Sequence, residues 1–536
     1  MTDNDKVTNS GETTEGGESP QPKSKYQTLA IFLGLLGMVL LVYLPALGAG
    51  FVWDDNAAVT RCMQLRSLEG LREFWTDPGA NPAGHYFPLT YTTFWLEYQF
   101  YGDNPFGYHL LNVILHAINS LLVFLLLRRL AVPGALLAAA IFAVHPLHVE
   151  SVAWIAERKD VLSALFYLLA ALSYLRFIDS RRWPYYALTF ALFVAALLSK
   201  SIVVSFPFAA FLMLLWLKKG KGFSDIIALL LLVITAAVFV NLGLRSAHYV
   251  AYTWEYSLLE RCLIAGRALW FYIGKLIWPA PLMAIYPRWE IDAGAAWQYL
   301  FPAAALLAPL GLGANYRKIG WGPLVAFVYF TLTVGLALGF VDFQLMDYTF
   351  VADRFQYLAG IGLIALFAAT VTQVGATLPK QVQRAGTVAL GVLLLTYGAL
   401  TFRQARLYES NETLFRHTVA HNPDSANVHN QYAIGLNEVQ DYEGAIEHFE
   451  ESLRLYSDAP YIRIMLGDAQ SKVGKIHEAL ANYLLALELD PVNPYPALGA
   501  LRKLERATGD ELKDEIEAYW KARAAQPEPD HTDHDH

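Results

Sequence analysis

Residues 257–278 read SLLERCLIAGRALWFYIGKLIW, a run long enough for a membrane helix but carrying Glu260, Arg261, Arg267 and Lys275. Each such charge at a helix centre costs about 2.5–3.5 kcal/mol on insertion scales. The run is therefore expected to lie at the interface or to re-enter rather than cross. That reading decides the architecture, because eleven other apolar runs surround it: Tyr26 to Ala46, 107–127, 134–149, 161–178, 184–199, 201–217, 224–244, 297–313, 320–340, 356–373 and 386–402. An odd number of spans places the two chain ends on opposite sides. Loop charge agrees. With the N-terminus inside, the short inner loops hold Arg128-Arg129, Arg176 with Arg181-Arg182, Lys218-Lys219 with Lys221, Arg317-Lys318, and Lys380 with Arg384. Cytoplasmic loops collect such charges. Were 257–278 to cross, Arg317-Lys318 would move outside.

The composition fits a chain that faces lipid. Of 536 residues 55% are apolar and 16% charged, against roughly a quarter charged in soluble domains. A net charge of −8, dispersed along the chain, gives no nucleic-acid signal. Cys62 and Cys262 have no metal-ligand spacing. Both fall on the outer side, where they could pair if that compartment is oxidising and their separation permits. Residues 1–26 are polar and read as a disordered inner tail, 527–536 as a second disordered end.

Beyond residue 403 the sequence becomes that of a soluble helical domain, expected over 403–526. Phe415, Phe449 and Tyr483 stand 34 apart, as do Thr418, Ser452 and Ala486. A 34-residue period with small residues at helix contacts is the tetratricopeptide (TPR) signature. Full repeats are expected at 425–458 and 459–492, capped by a helix at 405–421 and a degenerate pair at 494–525. The fold class is all-α: a polytopic membrane bundle over 27–402, followed by a TPR α-solenoid on the outer side.

The topology gathers four polar, aromatic-rich outer loops: 47–106, 145–160, 245–296 and 341–357. They offer Asp54 and Asp55, His145, His148, Glu150, the run ERKD (Glu157, Arg158, Lys159, Asp160), and Asp353-Arg354. Carboxylates accept protons from attacking hydroxyls, and Arg or Lys matches phosphate oxygens. Lys275 and Lys200 are placed to contact phosphate, although Lys200 has an equal claim to snorkel. Asp54-Asp55 has a competing reading as the cap of a helix starting near Ala57. For His145 and His148, orienting hydrogen bonds at the end of a span are favoured over a metal site. A base, cationic clamps and a membrane-level position suit transfer from a phosphorylated lipid.

Four stretches carry a resemblance: GFVWDDNAAV (50–59), YFPLTYTTFWLEYQFYGDNPFGYHLLNVILHAINSLLVF (86–124), FAVHPLHVESVAWIAERKDVLSALFYLLAAL (142–172) and VADRFQYLAGIGL (351–363). They resemble the transmembrane-and-TPR O-mannosyltransferases and their prokaryotic relatives, membrane glycosyltransferases of the GT-C class. The resemblance covers about 27–402. It implies inverting transfer of one sugar from a polyprenyl- or dolichyl-phosphate donor to a hydroxyl, the acceptor expected to be a protein; the TPR groove could present that acceptor or recruit an unrelated partner. It assigns the base to Asp54 or Asp55 and donor phosphate to Arg354, with Arg158 or Lys159. Glu150 and Asp160 would assist, with Asp353 and Tyr357 beside Arg354. It implies no metal and no cofactor. The site and TPR domain would be extracytoplasmic, on the periplasmic face of a bacterial inner membrane or in the endoplasmic reticulum lumen. Two other functions stay open on the sequence: a non-catalytic TPR scaffold, and an oligosaccharide ligase with a lipid-pyrophosphate donor.

Overall fold

The structure, a computed structural model, describes residues 25–80, 86–219, 222–247, 256–341, 344–509 and 512–524. The expected tails lie outside these residues, apart from Lys25 and Tyr26, which begin the first helix. Among the described residues the regular structure is helical and contains no strand.

Every one of the eleven expected apolar runs coincides with helix. Length divides them. Five helices are long and apolar enough to cross a membrane alone: Pro105–Arg129, Ile155–Ser180, Phe223–Gly243, Gly360–Thr377 and Lys380–Leu407. The run at 134–149 is no plain span: Ala135–Val144 and Pro146–Ala153 meet at a 55° bend, where Pro146 cannot continue the hydrogen-bond ladder. Four further apolar helices, Tyr26–Val42, Trp183–Ser199, Ser201–Trp216 and Gly322–Ala337, have only 10–17 residues. At 1.5 Å per residue these reach less than the roughly 30 Å hydrocarbon core. Among the described residues, five helices meet both the length and the composition of a span, or six with the bent pair, and the four shorter ones meet the composition alone.

Residues 257–278 do not qualify as a span and form the helix Leu258–Ile277. Ser257 and Glu260 close a capping box at its start, satisfying two otherwise orphaned donors. Leu263, Ile264, Ala268, Leu269 and Tyr272 are buried along one face. Gly266 lets the neighbouring helix approach: a Cβ there would meet the Pro302 nitrogen at 2.4 Å. The charged residues that argued against insertion therefore leave one side free for packing.

The N-terminal ends of two long parallel helices meet. Asn104 caps Pro105–Arg129 through the Phe106 amide, and Arg158, first residue of Arg158–Ser180, donates to the Tyr108 carbonyl at 2.8 Å. These ends carry the loops described below.

After Lys380–Leu407 the chain forms Asn411–Val419 and then antiparallel helix pairs. Ala426–Glu438 with Tyr442–Leu455 and Pro460–Lys472 with Ile476–Leu489 begin 34 residues apart. Tyr495–Thr508 and Lys513–Ala524 follow. Close contacts explain the small residues. A Cβ on Gly435 would meet the Glu412 amide nitrogen at 2.6 Å, and one on Gly467 the Tyr483 ring at 2.6 Å. Phe415, Phe449 and Tyr483, the periodic aromatics, are all buried.

Candidate active site

The first loop separates the two aspartates. Trp53 holds a left-handed backbone (φ +51°), a conformation a bulky residue keeps only when its surroundings impose it. Here they do. Its indole stacks on Trp154 at 4.6 Å and 5°, its edge meets Phe415 at 5.4 Å, and its amide donates to Asn411 Oδ1 at 2.7 Å. The Gly50 amide donates to the Glu409 carbonyl at 3.0 Å. The helices after residue 403 thus grip the loop directly.

Asp55 turns inward. It is fully buried and accepts from the Val52 amide at 3.0 Å and the Ala156 amide at 2.6 Å. Burial pushes its carboxyl up to about 8, against the pull of those two amides. It anchors loop 47–106 to the turn at 155–157. This corrects both expectations for it: it has no open face for a substrate, and its side chain makes no helix-cap bond.

Asp54 turns outward. It is exposed, and its carboxylate makes no hydrogen bond among the described residues. Yet protein packs densely around it, and this desolvation raises its pKa above the ordinary carboxylate value. The charges of Lys159 and Arg354 oppose that rise and Glu157 adds to it. An accessible carboxylate in a walled recess, within the field of two cations, is the geometry a general base requires.

Behind Asp54 lies a buried lattice of charges centred on Glu157. Lys159 pairs with Glu157 Oε1 at 3.0 Å, and Lys200 Nζ reaches Glu157 Oε2 at 3.0 Å and Asp160 Oδ1 at 2.6 Å. Ser151 donates to Asp160 Oδ2 at 3.0 Å. Arg354 Nε lies 3.3 Å from Glu157 Oε1, while its Nη1 bonds Glu150, whose other oxygen accepts the Arg354 amide at 2.8 Å. Three cations and three carboxylates alternate, as buried charges must. Two cations retain capacity. Lys159 is 19% exposed against 8% for Lys200, and Arg354 Nη2 makes no hydrogen bond among the described residues. Arg354 also lies over the Trp154 ring at 5.4 Å.

Other expected residues take structural places. Arg158 is wholly buried, with Asn112, Thr93, Glu97 and the Tyr108 carbonyl consuming its donors. Its expected phosphate role is therefore corrected, because no donor is left over. Lys200 is locked by two carboxylates, so neither phosphate contact nor snorkelling applies to it. Lys275 donates to the Pro281 carbonyl and lies over Phe271 and Tyr286, and the charge it acts on is that of Asp353. Asp353 accepts from Tyr286 Oη at 2.9 and 3.0 Å. Burial, with the Glu150 charge, raises its carboxyl well above the usual range.

His145 makes the orienting bonds expected of it, between its Nε2 and the Leu276 carbonyl at 3.0 Å and from the Leu147 amide to its Nδ1 at 3.3 Å. His148 Nδ1 bonds the Phe142 carbonyl at 2.8 Å. Tyr357 Oη meets His116 Nδ1 at 2.7 Å and accepts from Asn119 at 3.2 Å, behind Arg354. Both cysteines are free, Cys62 buried and Cys262 half-buried, so the conditional pairing is not formed. Among the described residues no group of three His, Cys, Asp or Glu is arranged to hold a metal ion.

The lattice contains partners that the sequence reading passed over. Glu157 was noticed only within ERKD, and Glu97, the counter-ion of Arg158, not at all. A lone carboxylate inside the aromatic helix Pro88–Tyr101 was the available signal, since such a charge needs a partner.

Comparison with known proteins now bears on this arrangement. Residues 85–243, which hold most of the lattice, match the family model described as dolichyl-phosphate-mannose-protein mannosyltransferase. The match contains two of the four stretches that carry the resemblance, 86–124 and 142–172. Among particular relatives, protein O-mannosyl-transferase Tmtc1 of Drosophila melanogaster is 41% identical over 191 residues, covering 34% of this chain and 22% of that protein. Human protein O-mannosyl-transferase TMTC3 is 25% identical over 515 residues, covering 85% of this chain and 55% of its own length. Human TMTC1 is 26% identical over 79% of this chain and 54% of itself. The chain spans about half the length of these human relatives. No solved structure matches it.

Proposed function

We propose that this chain transfers a single mannose or related hexose from a polyprenyl- or dolichyl-phosphate donor to a protein Ser/Thr hydroxyl, with inversion. The observation that carries this reading is the unbonded Asp54 carboxylate beside Lys159 and Arg354. The description of the matching family model supports the donor class, and the relatives' names, protein O-mannosyl-transferases, support the acceptor class.

In the reaction Asp54 takes the proton of the acceptor hydroxyl as its oxygen forms a bond to the anomeric carbon. The bond from that carbon to the phosphate oxygen breaks, and the lipid phosphate leaves with the electron pair. Lys159 and Arg354 Nη2 balance the departing charge. One displacement inverts the anomeric centre, whereas retention needs a carboxylate nucleophile and two steps. The helix pairs after residue 425 act as TPR units whose groove presents the acceptor. The N-terminus is cytoplasmic, and site and repeats face the periplasm or the endoplasmic reticulum lumen.

Two results follow. A base must be deprotonated to act, and the Asp54 pKa is raised. The acid limb of kcat/KM therefore lies above the ordinary carboxylate range: transfer is full above the raised pKa and lost as pH falls through it. A pH profile of label transfer from polyprenyl-phosphate-mannose tests this, and a limb near pH 4 or none at all contradicts it. Second, Asn411→Ala removes the acceptor of the Trp53 amide next to Asp54. We expect kcat to drop about tenfold with donor KM unchanged, for about 1–2 kcal/mol of lost loop positioning. Steady-state kinetics in nanodiscs checks it.

A further inference from the structure

The two long parallel helices that begin at the site end in a second feature. A cavity of about 520 Å³ lies between Pro105–Arg129 and Arg158–Ser180, lined by Leu125, Arg128, Arg129, Leu172 and Arg176. Arg158 and Arg176 are 18 residues apart on one helix, so the cavity lies about 27 Å from the site end, close to one hydrocarbon thickness. Its charges are unbalanced. Asp179 pairs with Arg129 and also, at 2.7 Å, with Lys219. Arg128 lies over Phe124 at 5.1 Å, and neither Arg128 nor Arg176 has a carboxylate partner among the described residues.

Arg128 and Arg129, in the last turn of their helix, complement its dipole, and Arg176 lies one turn short of the end of its own. That accounts for their sign but not for a cavity between two shafts with leucines beneath the guanidiniums. Arginine forks match phosphate oxygens, and leucines at the end of a membrane-spanning helix meet acyl chains. We propose that this cavity binds the phosphate head group of an anionic phospholipid, at the membrane end opposite Asp54. Arg128 and Arg176 hold the phosphate, while Arg129 stays tied to Asp179.

The test uses the full chain, purified from bilayers containing equal phosphatidylglycerol and phosphatidylcholine, with bound lipid read by native mass spectrometry. Wild type should retain the anionic lipid about tenfold over the zwitterionic one, and R128Q/R176Q should bring the ratio to near one. R128K/R176K, which keeps the charge and loses the fork, should fall between, and it serves if the Gln pair does not fold. Excess inorganic phosphate should leave the lipid in place. Equal retention of both lipids by wild type, an unchanged ratio in both variants, or displacement by inorganic phosphate alone would overturn the proposal. The readout involves no sugar transfer, so it stands apart from the proposed reaction.

Discussion

Asp54→Asn lowers kcat for sugar transfer about 10²–10⁴-fold, the range for losing a positioned general base, with thermal unfolding essentially unchanged. The selectivity comes from geometry. Asp54 is exposed and makes no hydrogen bond among the described residues, so an isosteric amide breaks nothing in the fold. Asp55→Asn differs: it places an amide group where two buried backbone donors point, and its cost appears in stability. Steady-state transfer together with thermal unfolding of both variants separates the two neighbours. Equal kinetic losses with equal destabilisation would show that the loop, rather than one carboxylate, is the functional unit.

The second large effect belongs to Glu157→Gln. Glu157 joins Lys159, Lys200 and Arg354. Neutralising it leaves three cations facing only Glu150 and Asp160 in a buried site. Breaking a buried charge network by removing one partner costs about 3–5 kcal/mol, so the midpoint of unfolding should fall by several degrees. Transfer should fall too, because Lys159 and Arg354 lose the anchor that holds them toward Asp54. The double variant Glu157→Gln with Lys200→Met removes one excess charge and should recover part of the stability, though not the transfer. Differential scanning calorimetry in nanodiscs measures the unfolding midpoints, and label transfer from polyprenyl-phosphate-mannose measures the activity.

How far the sequence alone reached depended on whether a signal was local. The charges within 257–278 foretold a helix that buries one face against its neighbours. The 34-residue period foretold helix pairs that start at that spacing. Apolar runs located helices but not their lengths, because hydrophobicity reports burial and lipid contact alike. Trp183–Ser199 is apolar and helical yet short. At the site, residue types were legible and orientation was not. Asp54 and Asp55 are equivalent in sequence, and only the Trp53 backbone, held by Trp154 and Asn411 from distant segments, turns one outward. Likewise, nothing near Arg158 in sequence reveals that Glu97, 61 residues earlier, consumes its charge.

The most direct test of the central claim incubates the purified chain in nanodiscs with polyprenyl-phosphate-[³H]mannose and acceptor protein, wild type beside Asp54→Asn. The account predicts label on protein hydroxyls, released polyprenyl phosphate, an inverted anomeric linkage, and loss of all three in the variant. Transfer by Asp54→Asn at the wild-type rate, or bound donor with no transfer by wild type, would contradict it.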